Sequence, residues 1–179
     1  MFLTEVLRPV SQRSAYCLGE WLSKQADDAP VPDYSMSGPL YLSSSGWLLL
    51  GVPNSLVRGA FAAMDETGIE LPPSGPNGFL NAHVSVFRPE ELERIGGPEK
   101  VTERGKTFRY RLGGLYSLVP AGWKEMERVW MLKVHSTELQ ELRRSYGLSS
   151  LPNEGKFAFH ITVACRRRGV LSRNEKTKG

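Results

Sequence analysis

Ala82-His83-Val84-Ser85-Val86-Phe87 and Phe159-His160-Ile161-Thr162-Val163-Ala164 share one pattern. Each places a histidine, an apolar residue, a hydroxyl residue and a second apolar residue in that order. Side chains along a β-strand alternate between its two faces. His83 and Ser85 therefore point one way while Val84 and Val86 point the other. His160 and Thr162 share a face in the same manner, with Ile161 and Val163 turned into a core. Each strand then offers an imidazole and a hydroxyl roughly 7 Å apart. Two such strands side by side make a pocket of two imidazoles and two hydroxyls. That set suits a phosphate diester: two groups that exchange protons near neutral pH and two donors for the non-bridging oxygens. The third histidine, in His135-Ser136-Thr137, has the spacing but polar flanks, so it reads as structural.

With these motifs quoted, the chain resembles the 2H phosphoesterase superfamily. That superfamily includes RNA 2′,3′-cyclic phosphodiesterases, 2′-5′ RNA ligase-like proteins and phage enzymes that cut cyclic oligonucleotides. The likeness covers about residues 46–165. It implies an α+β fold with two lobes, in which mainly antiparallel sheets form a central groove and helices lie outside. It also implies that His83 and His160 are the catalytic pair and that Ser85 and Thr162 bind phosphate. Many members carry proline before the histidine, where this chain has Ala82 and Phe159.

Composition bounds the rest. At 179 residues and 40% apolar content the chain has the makings of one domain with its own core. The longest apolar candidate, Trp47 to Val52, is strand-sized, so no membrane span is expected. The start of the chain lacks a basic segment followed by a long apolar one, so no signal peptide is read. Cys17 and Cys165 stand apart without a CxxC, which fits a cytoplasmic protein. The net charge of +4 is uneven: residues 166–179 carry +5 and residues 1–165 carry −1. The nearly neutral body favours a short substrate over a long duplex, whose many phosphates reward a broad basic face.

Three regions follow. Residues 1–45 read as a helix near Ser11–Lys24 and a Pro/Ser-rich connector, with residues 30–46 as loop. Residues 46–165 hold the motifs. Residues 166–179 read as a basic, disordered tail. Within the middle region, Trp47–Val52 predicts a strand, and Leu56, Val57, Ala60, Phe61 and Met64 predict a helix. Residues 72–78 predict a loop, and Pro89 with Glu90 and Glu91 predicts a short helix. Lys106–Leu112, Tyr116–Pro120 and Trp130–Val134 predict strands. Thr137 and Gln140 predict the cap of a helix ending at Gly147. Arg109 and Arg111 either face solvent or meet phosphates in the groove. Trp123, on a loop, either packs locally or stacks a base. Lys156, four residues before His160, is a further phosphate candidate.

The expected chemistry is metal-independent and cofactor-free. One histidine takes a proton from the attacking oxygen and the other gives one to the leaving oxygen. Two histidines without a third ligand make a poor zinc site. The resemblance implies as substrate a 2′,3′-cyclic phosphate, a 2′-5′ linkage or a small cyclic oligonucleotide, with a nucleotide or short RNA as partner. Two other classes fit the same residues: a non-catalytic RNA- or nucleotide-binding module, which would bind without either histidine, and an interaction scaffold, which would not bind phosphate.

Overall fold

Among the described residues, alternating apolar residues build six strands, and three short helices cover their apolar side. The computed structural model describes residues 36–74, 80–120 and 123–169. The elements run β1 (Met36–Leu42), β2 (Leu48–Gly51), α1 (Asn54–Ala62), β3 (His83–Phe87) and α2 (Pro89–Arg94). A 3-10 turn (Pro98–Lys100), β4 (Thr107–Leu118), β5 (Met126–His135), α3 (Thr137–Ser145) and β6 (His160–Arg167) complete them. All pairings are antiparallel, in the order β3-β2-β1-β4-β5-β6.

The sheet divides into two halves of the same plan, each two strands, a helix and a motif strand. Among the described residues they join along one edge each, where Met36–Pro39 of β1 pairs with Thr107–Tyr110 of β4 and Leu40 bonds to Gly105 and Lys106. The helices pack crosswise: α1 of the first half meets β6, and α3 of the second half meets β3. Leu56, Val57 and Ala60 of α1 and Leu139 and Leu142 of α3 share one core with both halves of the sheet. The sheet's part is Leu40, Leu50, Val84 and Val86 on one side and Leu132, Val134, Ile161 and Val163 on the other. Burying each large apolar side chain contributes about 1.5–3 kcal/mol, so this shared core holds the lobes together. It also brings β3 and β6 into contact although they stand at opposite ends of the strand order.

Several expectations are corrected. Residues 36–42, read as connector, form β1 in the middle of the sheet. Gly38 and Pro39 belong to that strand for a steric reason: a Cβ at Gly38 would lie 1.9 Å from the Gly51 carbonyl oxygen. The two strands read at 106–112 and 116–120 are one, β4, with an irregular register between Leu112 and Leu115. The cap of α3 is Ser136, not Thr137; its Oγ accepts from the Leu139 amide at 3.1 Å.

The first arginines of the expected tail are ordered as well. β6 runs to Arg167, with Arg166 and Arg167 paired to Arg128 and Met126 of β5. Arg166 stacks 5.1 Å from the Trp130 ring and pairs with Glu127 at 3.5 Å. Arg167 pairs with Glu70, and the Arg168 Nε donates to the Met126 carbonyl at 3.2 Å. The helix read at residues 11–24, the rest of the tail from 170, and residues 75–79 of the loop before β3 lie outside the described residues. No helix among the described residues is long and apolar enough to cross a membrane.

Candidate active site

β3 and β6 carry the motifs in the predicted alternation. His83, Ser85, His160 and Thr162 are half-buried, while Val84, Val86, Ile161 and Val163 are fully buried. The two motif strands are in contact, and the charge of His83 contributes to the lowered titration of His160.

Both rings are held alike. His83 Nδ1 lies 2.6 Å from the Asn81 carbonyl oxygen, and His160 Nδ1 lies 2.8 Å from that of Ala158. A carbonyl only accepts, so each Nδ1 carries the hydrogen. The neutral ring then presents a bare Nε2, and the charged ring presents an Nε2–H. In each case the carbonyl two residues upstream thus selects Nε2 as the atom that exchanges protons. Asn81 is itself held, because its Oδ1 accepts from the Tyr41 hydroxyl at 3.2 Å.

Electrostatics separate the pair. Burial pushes the His160 imidazole below its ordinary value of 6.5. The Ala158 hydrogen bond opposes that shift, and the charge of His83 adds to it. The Ser85 and Thr162 hydroxyls have no hydrogen-bond partner among the described residues, which leaves both donors available to a ligand.

A buried arginine ties the two motif strands together. Arg143 on α3 is fully buried and pairs with Glu91 of α2 through both nitrogens, at 3.0 and 2.7 Å. Its Nη1 also donates to the Val86 carbonyl of β3 at 2.5 Å. Its Nε and Nη2 donate to the carbonyls of Ser149 and Leu151, at 2.7 and 3.1 Å, in the segment leading to β6. One guanidinium therefore fixes the end of one motif strand and the approach to the other.

The geometry is thus a paired His-x-Ser/Thr arrangement on two strands in contact. A family model described as "Swiss Army Knife, 2H phosphoesterase domain" matches residues 56–171, more than half of the 179-residue chain. The chain belongs to the 2H phosphoesterase family. No curated protein and no solved structure matches it. The match contains both motif strands of this 2H phosphoesterase but starts after β1 and β2, which the sheet nonetheless places between β3 and β4.

The other candidate residues are less central. Arg109 is committed to Glu138 of α3, with Nε 2.5 Å from Oε1. Arg111 stands on β4 opposite His135 of β5. Lys156 is exposed and lies 3.9 Å from the Glu154 carboxylate. Trp123 is 56% exposed beside the turn between β4 and β5. His160 pairs with Lys133, ten residues further along β5, so Trp123 stands roughly 20–30 Å up the hairpin from that rung. Two surface hollows, one beside Glu103, Lys106 and Glu138 and one beside Tyr41 and Arg104, include no motif residue. No group of three His, Cys, Asp or Glu side chains suited to a metal occurs among the described residues.

Lys133 escaped the sequence reading, and His135 was read there as structural. Lys133 stands directly across the ladder from His160, and His135 lies two residues further along the same face. The signal for both was present in the Lys133-Val134-His135 alternation. Its face becomes known only once β5 is registered against β6.

Proposed function

We propose that this 2H phosphoesterase hydrolyses a phosphodiester of a nucleotide or short RNA by two-histidine acid-base catalysis. The substrate classes are a 2′,3′-cyclic phosphate, a 2′-5′ linkage and a small cyclic oligonucleotide. The observation that supports the proposal is the contact between the two motif strands, each carrying an imidazole bound at Nδ1 to a carbonyl two residues upstream.

His160, whose burial favours the neutral ring, is assigned as base, and His83 as acid. Water attacks phosphorus as His160 Nε2 takes its proton. The bond from phosphorus to the ester oxygen breaks as His83 Nε2–H protonates that oxygen. Ser85 and Thr162 donate to the non-bridging oxygens as their charge grows. The nearly neutral body of the chain supports a short substrate.

The test is a screen of 2′,3′-cyclic nucleotides, 2′-5′ oligomers and cyclic dinucleotides with a chelator present. His83→Ala and His160→Ala are run beside the wild type. Turnover that falls about 10²–10⁴-fold in each variant supports the proposal. Wild-type turnover that survives either substitution overturns it. Binding without turnover moves the reading to a nucleotide-binding module.

A further inference from the structure

The two halves of the sheet are alike at the motif hydroxyls and differ at the histidines. On the hydroxyl rungs, Ser85 is followed across the sheet by Leu49 and Tyr41, and Thr162 by Met131 and Tyr116. On the histidine rungs the symmetry breaks. His83 is paired with Gly51, whereas His160 is paired with Lys133. Directly opposed residues on one face have Cβ atoms about 5 Å apart, so Lys133 is the immediate neighbour of His160.

Lys133 is exposed between the buried Leu132 and Val134 and has no acidic partner among the described residues. His135 continues the face and lies over Gly113, where a Cβ would come within 2.8 Å of its Nε2. Arg111 stands opposite His135. Among the described residues no Asp or Glu occupies these rungs, so the rung of His160 carries the lysine charge, whereas the rung of His83 carries a bare glycine.

We infer that Lys133, with His135 next along the same face, forms a second anion subsite on the His160 side of the scissile phosphate. It would select substrates that carry another phosphate on that side. The inference rests on the proposed phosphodiester chemistry and narrows its substrate to a multiply phosphorylated nucleotide. A lysine ammonium suits this work as a mobile point charge with three donors.

The experiment compares adenosine 2′,3′-cyclic phosphate with its 5′-phosphorylated counterpart. In parallel, calorimetry compares the binding of adenosine 3′-phosphate with that of adenosine 3′,5′-bisphosphate, which needs no turnover. The wild type is expected to favour the additional phosphate by about ten- to hundredfold in kcat/KM and in affinity. Lys133→Met is expected to abolish that preference and Lys133→Glu to reverse it. Lys124→Met, an exposed lysine at the hairpin tip, is expected to retain it. Turnover without a preference, or with one that Lys133→Met leaves intact, overturns the subsite while the hydrolase reading stands. A Lys133-dependent binding preference without turnover keeps the subsite and removes 2′,3′-cyclic phosphates from the proposed substrates of the hydrolase.

Discussion

Arg143 and Glu91, 52 residues apart, form a doubly hydrogen-bonded ion pair in the interior, with both side chains almost wholly out of water. Burial alone would raise the Glu91 pKa. The Arg143 hydrogen bonds and charge, with the Arg88 and Asn153 amides, outweigh it and hold the carboxyl below its ordinary 4.5. Removing one partner leaves an uncompensated buried charge, which costs about 3–5 kcal/mol. Arg143→Met and Glu91→Gln are each expected to lower the urea midpoint accordingly. Arg143→Met combined with Glu91→Leu should recover part of the loss, because no charge is then stranded. The sign with pH follows from the depressed carboxyl. Its contribution is present above 4.5 and is lost as pH falls through the folded value, so acid unfolding should begin earlier once the pair is gone. A double variant no more stable than either single one would show that the pair acts by packing.

His160 is expected to titrate below 6.5, since burial, the larger effect, and the charge of His83 both disfavour its cation. NMR of the imidazole protons measures this directly. The His83→Gln variant removes one of the two causes, so the His160 value should move back toward 6.5 without reaching it. With His160 as base, the acidic limb of kcat/KM should follow the same value. A His160 pKa above 6.5 would reverse the assignment of base and acid. The depressed value also means that His160 supports folding fully above 6.5 and progressively less as pH falls through the folded value.

Gly38 sets how closely β1 approaches β2. A Cβ there would sit 1.9 Å from the Gly51 carbonyl oxygen, which is backbone and cannot swing aside. Gly51 is in turn the residue opposite His83. Gly38→Ala is therefore expected to cost at least 1–3 kcal/mol, roughly, and to reduce turnover by displacing the His83 strand. Gly114→Ala, with nothing within 4 Å of the added methyl, serves as control and should melt as the wild type does. Equal melting temperatures for the two variants would show that the β1–β2 contact is soft.

The residues that alternate strongly were legible in the sequence, and those defined by distant partners were not. Val84, Val86, Ile161 and Val163 left the two motif strands only one way to face, and the structure keeps that alternation. β1 was hidden because Gly38 and Pro39 carry the signature of a turn, while the reason for them lies across the sheet at Gly51. Arg143 went unremarked within its helix. Its burial depends on Glu91, which no local pattern links to it. Arg166 and Arg167 read as tail charge because Glu127 and Glu70, their partners, are remote in sequence. The lysine beside His160 needed the β5–β6 register, which an irregularity between Trp130 and Met131 shifts.

Ser85 and Thr162 allow stability and function to be separated. Neither hydroxyl has a hydrogen-bond partner among the described residues, and both are half-buried. A hydroxyl in that state contributes little to folding, and removing it can be neutral or slightly stabilising. Thr162→Val preserves the branched shape on β6, and Ser85→Ala removes one atom from β3. Both variants are expected to melt within a few degrees of the wild type, yet each should lose about 10²–10³ in kcat if the hydroxyls donate to the transition-state oxygens. The double variant should lose less than the product of the two single losses, because both donors serve one phosphate. Unchanged kcat with a raised KM would assign the hydroxyls to ground-state binding. A large fall in melting temperature would instead make them structural, with partners outside the described residues.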